Sequence, residues 1–382
     1  MSYDAIVVGA GFAGSVLAER MVSQCGMDVL VVERREHVAG NAYDEYNEHG
    51  VLVPRFGGHL FHTNADKVVD HLSRFTEWRP YEHRVRAVIN GRSLPLPLNR
   101  DTINGFFSLD LGTEAEVEAF LATIVEPHER VDNSEQAVVS KVGRALYDAI
   151  FRCYTRKHWG LDPSELDPTV CGRIPLRVNT DDRYFSDGFQ AMPREGFTAM
   201  FERMLNHPGI DLRLGASWQE IDERAPLLIW TGPIDEYFGH RFGPLPYRSL
   251  RFEHVTYPTP GGGFLQPVGT INYPDERIPF IRVEEFRHMY GQVHEYSTLA
   301  YNIPCADGDP YYPIPRPENR ELYNRYKALA DEQGGVVFVG RLARYQYLNM
   351  DQVVAQALAT FNRLVEDGRL QLRPKRSALA PR

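Results

Sequence analysis

The sequence predicts an α/β protein in which a discontinuous Rossmann-like domain is interrupted by an inserted helical domain and an antiparallel β-sheet domain. Three observations predict it. An apolar strand, Ile6-Val7-Val8, runs straight into Gly9-Ala10-Gly11-Phe12-Ala13-Gly14. A second, Val29 to Val32, ends in Glu33, about twenty residues past the glycines, as a dinucleotide site requires. A third, 336–339, ends in Gly340 near the other end of the chain. It precedes an apolar pattern of helical period at Val353, Val354, Ala357, Leu358 and Phe361.

The first turn explains its own glycines. Gly9 permits the tight bend, Gly11 lets the backbone approach a pyrophosphate, and Gly14 allows close helix–strand packing. A helix from Ala13 to about Ser23 aims its N-terminal amides and dipole at the phosphates. Glu33 can accept hydrogen bonds from an adenosine ribose. Three features select FAD over NAD. The strand opens the chain. Residues 34–42, with Arg34, Gly40 and Asn41, resemble the basic-then-glycine segment of glutathione-reductase-like FAD proteins. The C-terminal helix, capped by Asn349 or Asp351 and carrying Met350 and Gln352, would face the pyrimidine edge of a flavin.

Bulk properties narrow the partners. Hydrophobic residues are 43% and charged residues 24%, ordinary for a globular protein. A net charge of -9 argues against generic nucleic-acid binding but not against an anionic small ligand held by a local arginine cluster. Cys25, Cys153, Cys171 and Cys305 have no metal-ligand spacing and read as reduced thiols, so no metal and a cytoplasmic location are expected. The first apolar run is too short for a signal peptide, and no stretch reaches membrane-spanning length.

The expected FAD-binding domain comprises 1–78, 192–236 and 330–366. The helical domain is 98–172: 114–125 is amphipathic, and in 134–154 Val138, Val142, Leu146, Ile150 and Cys153 recur at helical spacing. Asp162-Pro163 reads as another helix start. Residues 79–97, 173–191 and 237–329 form the antiparallel sheet and substrate domain, with 85–98 a hairpin turning at Asn90-Gly91. The tail, 367–382, is expected to be disordered.

No protein nucleophile announces itself: there is no G-x-S-x-G and no Cys–His pairing. Arginines and aromatics dominate instead, at 154–160, 172–177, 183–185, Arg282 and 310–313. Arginine binds diphosphate in bidentate fashion and tyrosine hydroxyls can complete the oxyanion shell. The residues alone reach an FAD protein with an anionic substrate.

The chain also resembles the bacterial UDP-galactopyranose mutases up to about Leu370. The resemblance lies in G-G-H-L-F-H-T-N at 57–64, in 154–160, 173–177 and 182–187, in T-G-P-I-D-E-Y-F at 231–238, in 247–252, and in G-R-L-A-x-Y-x-Y at 340–347. It implies ring contraction of UDP-galactopyranose to UDP-galactofuranose, and the reverse, without net redox change. In that family's chemistry the reduced flavin N5 attacks the galactose anomeric carbon, which accounts for the missing nucleophile. The implied setting is a cytoplasmic homodimer that makes a polysaccharide precursor.

Carried over by position, the resemblance implies that Arg173, on a mobile loop, and Arg282 grip the diphosphate, helped by Tyr184, Tyr312 and Tyr347. Phe151, Tyr154 and Asn272 form the uridine pocket, with Thr155 and Trp159 at its edge. Arg341 touches flavin and sugar, and His62 lies near N5. Glu33, Arg34, Asn41, His59 and Leu60 bind the rest of FAD. The sequence departs from the family pattern at Asn349, often aspartate, at Ile150, often aromatic, and at Ala39 and Gly58. Two other classes share the cofactor fold: an FAD-dependent amine oxidase or desaturase-like oxidoreductase, which needs an apolar or amine-binding pocket, and a non-catalytic UDP-sugar-binding flavoprotein.

Overall fold

The computed structural model describes residues 2–172 and 174–373; Met1, Arg173 and 374–382 lie outside the described residues. Five parallel strands form the first sheet, in the order Ile210–Arg213, Val29–Val32, Ala5–Val8, Leu227–Trp230, Val336–Phe338. All of Val29–Val32 and Leu227–Trp230 is buried, because elements cover both faces. On one face the helices Phe12–Cys25, Gly196–Leu205 and Met350–Glu366 share a core through Val16, Phe201 and Phe361. On the other, Tyr326 of the helix Pro317–Asp331 packs with Trp230 and Phe338. Val8 aligns with Val32 and Trp230, so Gly9, Glu33 and Thr231 emerge side by side at the carboxyl edge.

The second sheet has seven strands, ordered Tyr312–Pro313, Tyr247–Pro258, Tyr296–Cys305, Arg282–Glu285, Thr270–Asn272, Val85–Ile89, Arg92–Leu96. The expected hairpin turns at Asn90 and Gly91, with φ of 50° and 77°, as a two-residue primed turn requires. The sheet is not wholly antiparallel: Thr270–Asn272 runs parallel to Val85–Ile89. These strands come from distant parts of the chain, so no hairpin dictates their direction. From sequence, residues 189–193 are divided between this sheet's domain, up to 191, and the expected FAD-binding domain, from 192. They form instead the centre of a three-stranded sheet between Phe61–Thr63 and Trp78–Pro80, knitted by the rings of Phe61, Trp78 and Phe189.

The inserted segment is helical, with Arg100–Phe107, Glu114–Ile124, Ser134–Leu146 and Cys153–Trp159. The single helix expected over 134–154 is broken. Gly143 has φ 76°, and a Cβ there would come 2.4 Å from the Ile124 carbonyl oxygen. A π turn, Tyr147–Arg152, then leads into Cys153–Trp159. The expected start at Asp162-Pro163 yields only the 3-10 turn Pro163–Glu165. The tail begins later than 367: Leu370 is buried in the core, and the Arg373 N–H donates to the Gln24 carbonyl at 2.9 Å. The rest of the tail expected to be disordered, 374–382, lies outside the described residues.

Candidate active site

The turn at the start of the first helix is as tight as its glycines imply. At Gly9, φ 104°, a Cβ would stand 2.1 Å from Thr231 Oγ1, which donates to the Val8 carbonyl at 2.7 Å. A Cβ on Gly14 would stand 2.0 Å from the Gly9 carbonyl oxygen. Gly40 faces Gly11 so closely that a Cβ on it would lie 3.2 Å from Gly11 Cα. Two bare backbones thus line a cradle at the N-terminus of Phe12–Cys25.

Glu33 is 7% exposed, and its carboxylate accepts from the Ala10 and Arg35 amides, both at 2.9 Å. It closes the turn, and each oxygen keeps a second acceptor site. Arg34 and Arg35 both reach Asp309, at 3.1 and 2.6 Å, and Arg35 donates to Asn41 Oδ1 at 2.9 Å. The sequence singled out Arg34 and Asn41 but missed Arg35 and Asp309. No local pattern signals a partner so far along the chain.

The Gly57–Leu60 segment packs against the second sheet, where Gly57 and Gly58 meet Phe252 and Glu284. Glu284, 2% exposed, accepts from the Gly58 amide at 3.1 Å and from Asn302 Nδ2 at 2.9 Å. His59 Nδ1 contacts the Gly57 carbonyl at 2.9 Å, and burial, with lesser help from Arg341 and Arg282, pushes its pKa down to about 4. Its imidazole is therefore neutral near pH 7, and a neutral ring can donate from Nδ1 while keeping Nε2 as an acceptor. His62 pairs through Nδ1 with Asp187 Oδ2 at 2.7 Å and stacks on Phe185, ring centroids 3.6 Å apart. The next residue, Thr63, donates to Asp351 Oδ2 at 2.9 Å. That bond ties the strand to the first turn of Met350–Glu366, where the amide of the N-cap, Asn349, donates to Gln352 Oε1. Asp351 serves here as the tether and Asn349 as the cap.

Four of the other predicted residues, Tyr154, Tyr184, Asn272 and Tyr312, meet around Arg282. Asn272 and Arg282 are directly opposed on neighbouring strands, and Asn272 Oδ1 and Arg282 Nε are both buried without a hydrogen-bond partner. Burial opposes the Arg282 charge, but Tyr154, Glu284, Tyr312 and Tyr184 around it push its pKa above the ordinary arginine value. Tyr312 and Tyr347 stack at 5.6 Å, and Arg341 lies over both rings while its guanidinium donates to the Leu348 and Tyr311 carbonyls. Burial raises the Tyr154 pKa and pushes that of Tyr312 up to about 12, so both phenols keep their protons to donate. Trp159 is buried with its ring centroid 6.1 Å from that of Tyr312. Phe151 is packed into the helical core with Val138 and Leu146, and Thr155 contacts Cys171 Sγ at 3.3 Å. Arg173 lies outside the described residues.

A parallel sheet with a glycine cradle at its carboxyl edge, joined to an arginine- and tyrosine-lined site on a second sheet, defines a Rossmann-type dinucleotide-binding enzyme. The model of the NAD(P)-binding Rossmann-like domain matches residues 7–75. A crystal structure titled as reduced UDP-galactopyranose mutase shares the fold, with TM-score 0.76 at 16% identity over 96% of both chains. A putrescine oxidase shares it more loosely, at TM-score 0.59 and 15% identity, over 96% of this chain and 99% of that one. The UDP-galactopyranose mutase family model matches residues 149–347. A "Probable UDP-galactopyranose mutase" of Klebsiella pneumoniae is 36% identical over 93% of each chain. A dTDP-fucopyranose mutase of Escherichia coli is 33% identical over 92% of this chain and 96% of its own. The chain belongs to the UDP-galactopyranose mutase family.

Proposed function

We propose that the protein is an isomerase that interconverts UDP-galactopyranose and UDP-galactofuranose without net redox change, with reduced FAD as its cofactor. The observation that carries this is Arg282: a charged guanidinium with a buried, unpartnered Nε, directly opposite Asn272 and ringed by tyrosines. Such a group calls for an anionic ligand.

The residues fit FAD. The Gly9–Gly14 turn, including the Phe12 amide, and the Gly11–Gly40 cradle would take the pyrophosphate; a Cβ on Gly40 would crowd Gly11 there. Glu33, Arg34 and Asn41 would hold the adenosine half, and His59, Leu60 and Arg341 the flavin half. The helix start at Asn349, Met350 and Gln352 would meet the pyrimidine edge, with His62 alongside. When bound and reduced, the isoalloxazine supplies at N5 the nucleophile that the side chains lack.

The chain's own work is electrostatic. As the bond from the anomeric carbon to the diphosphate stretches, negative charge gathers on the leaving oxygen. Arg282 and Arg173 neutralise it, and the phenols of Tyr154, Tyr184, Tyr312 and Tyr347 donate to the remaining oxygens. The detached UDP must stay oriented until it returns. Phe151, Tyr154, Thr155, Trp159 and Asn272 hold its uridine end for that purpose. An amine oxidase would place a cationic substrate here, and Arg282 and Arg341 would repel it. On the same reading the protein acts in the cytoplasm as a homodimer, without nucleic-acid or membrane partners. No helix among the described residues is long and apolar enough to cross a membrane.

The test is anaerobic incubation with UDP-galactofuranose, flavin oxidised in one tube and dithionite-reduced in the other, followed by chromatography. dTDP-fucopyranose is run in parallel, because one relative carries that name. Formation of UDP-galactopyranose in the reduced tube alone is expected. Absence of conversion in both, with protein folded and FAD bound, would point to another sugar nucleotide if dTDP-fucopyranose is converted, and to a binding role if it is not.

A further inference from the structure

Asn272 closes one strand and Arg282 opens its neighbour, and the segment between them, 273–281, must hold them in register. Its backbone oxygens turn inward onto one side chain. Lys157 Nζ lies 2.6 Å from the Tyr273 carbonyl, 2.7 Å from that of Phe280 and 2.9 Å from that of Asp275. An ammonium has three N–H donors, and this geometry engages all of them. Tyr273 directly follows Asn272, and Phe280 lies just ahead of Arg282, so the bonds grip both ends of the segment. Lys157 belongs to Cys153–Trp159, the helix that also carries Tyr154, Thr155 and Trp159. From the other side Arg248 donates to the His158 carbonyl at 2.9 Å and the Lys157 carbonyl at 3.4 Å.

We propose that Lys157 is a positioning residue for the nucleotide. Its three-carbonyl clamp sets the spacing between the helix bearing Tyr154 and the Asn272–Arg282 pair, and so governs affinity for the UDP moiety. This rests on the mutase reading above. With its three N–H groups all committed to backbone carbonyls, the lysine keeps none for a substrate, and its loss acts on both elements together.

Burial lowers the Lys157 pKa to about 8, against the pull of Asp275, Glu276 and Cys153. Of the charged groups around it, Asp275 is paired with Arg277 at 2.6 Å and Glu276 with Arg156 at 3.3 Å, and Arg248 donates to the backbone of the same helix. The clamp is mostly charged at pH 7 and half charged near pH 8. As pH rises through 8 the amine loses one donor and its charge, leaving two N–H groups for three carbonyls, and UDP affinity falls.

The experiment is calorimetric titration of the FAD-loaded protein with UDP at pH 7 and pH 9, in wild type and Lys157→Met, together with steady-state kinetics. At pH 7 the variant should bind UDP about 10- to 100-fold more weakly, with KM for UDP-galactofuranose rising in step and kcat within about threefold of wild type. Wild-type affinity should fall between pH 7 and 9 more than that of the variant, which shares every contribution from ionisation of UDP itself. Should Lys157→Met not fold, Lys157→Arg keeps a charge through pH 9 but not the three-carbonyl geometry. It should bind weakly at both pH values. UDP affinity and KM equal to wild type, or a fall in kcat with KM unchanged, would overturn the proposal. Wild-type protein that binds no UDP would instead overturn the mutase reading, and this inference with it.

Discussion

Arg282 shows how a single residue can be the focus of a site that spans several elements. Its neighbours Tyr154, Tyr184 and Tyr312 come from separate segments and Glu284 from its own strand, and its Nε is left without a protein partner. Replacing it by alanine removes the only described arginine proposed for the diphosphate grip. The loss of a buried, charge-assisted contact of this kind costs about 3 kcal/mol, or roughly a hundredfold in kcat/KM. Arg282→Ala should show that loss while retaining its flavin absorbance. Near-normal kcat/KM would place the diphosphate elsewhere. A second residue carries local strain. Ala39 is buried with φ 72°, its amide donating to the Ala10 carbonyl at 2.9 Å. A Cβ in the left-handed region costs about 1–2 kcal/mol, and the extra freedom glycine gives the unfolded chain offsets about half of that. Ala39→Gly is therefore expected to raise the urea midpoint slightly, by about 0.5 kcal/mol of stability. A lower midpoint would mean the turn holds alanine without strain.

At the level of elements, what was legible followed local rules. Three strands of the parallel sheet were read from apolar runs ending in glycine or an acid, and the hairpin from Asn90-Gly91. The site residues found from sequence sit in short motifs. Lys157, Asp187, Glu284 and Asp309 sit in or beside such motifs too, but what they do depends on partners elsewhere in the chain, which no window of sequence contains. The broken helix is the instructive failure. Val138, Val142 and Leu146 keep helical spacing across Gly143, so periodicity alone reads one helix. The glycine bends the chain because the Ile124 carbonyl leaves no room for a side chain. Gly143→Ala combines a positive φ with that clash and should cost about 3 kcal/mol, read as a shift in the urea midpoint. A cost below about 1 kcal/mol would mean that the two helices can reseat.

Across the whole molecule, acid should be the weak point, because buried imidazoles sit where the sheets meet. His83 is 3% exposed; its Nδ1 lies 3.1 Å from the Tyr81 hydroxyl, and its carbonyl accepts from the Tyr184 amide at 2.7 Å, joining 81–85 to the segment that carries Phe185. Burial, reinforced by the nearby charges of Arg282 and His288, pushes its pKa down to about 3. The unfolded chain takes up this proton near pH 6.5, whereas the folded chain resists until about pH 3. Above pH 6.5 neither state is protonated and His83 adds no pH dependence. Below it the unfolded state binds the proton first, so stability falls as pH drops, by about 1.4 kcal/mol per unit and roughly 3 kcal/mol by pH 4. His59, shifted the same way, steepens the same limb. His83→Gln keeps an acceptor for Tyr81 and removes the titration. Urea unfolding at pH 6.5, 5.5 and 4.5 should then show a slope of stability against pH shallower by about one proton than in wild type. The carboxylates contribute alike to both proteins and cancel in the difference. Parallel slopes would mean that His83 is protonated in the folded state well above pH 4, and that burial at the junction is looser than its surroundings indicate.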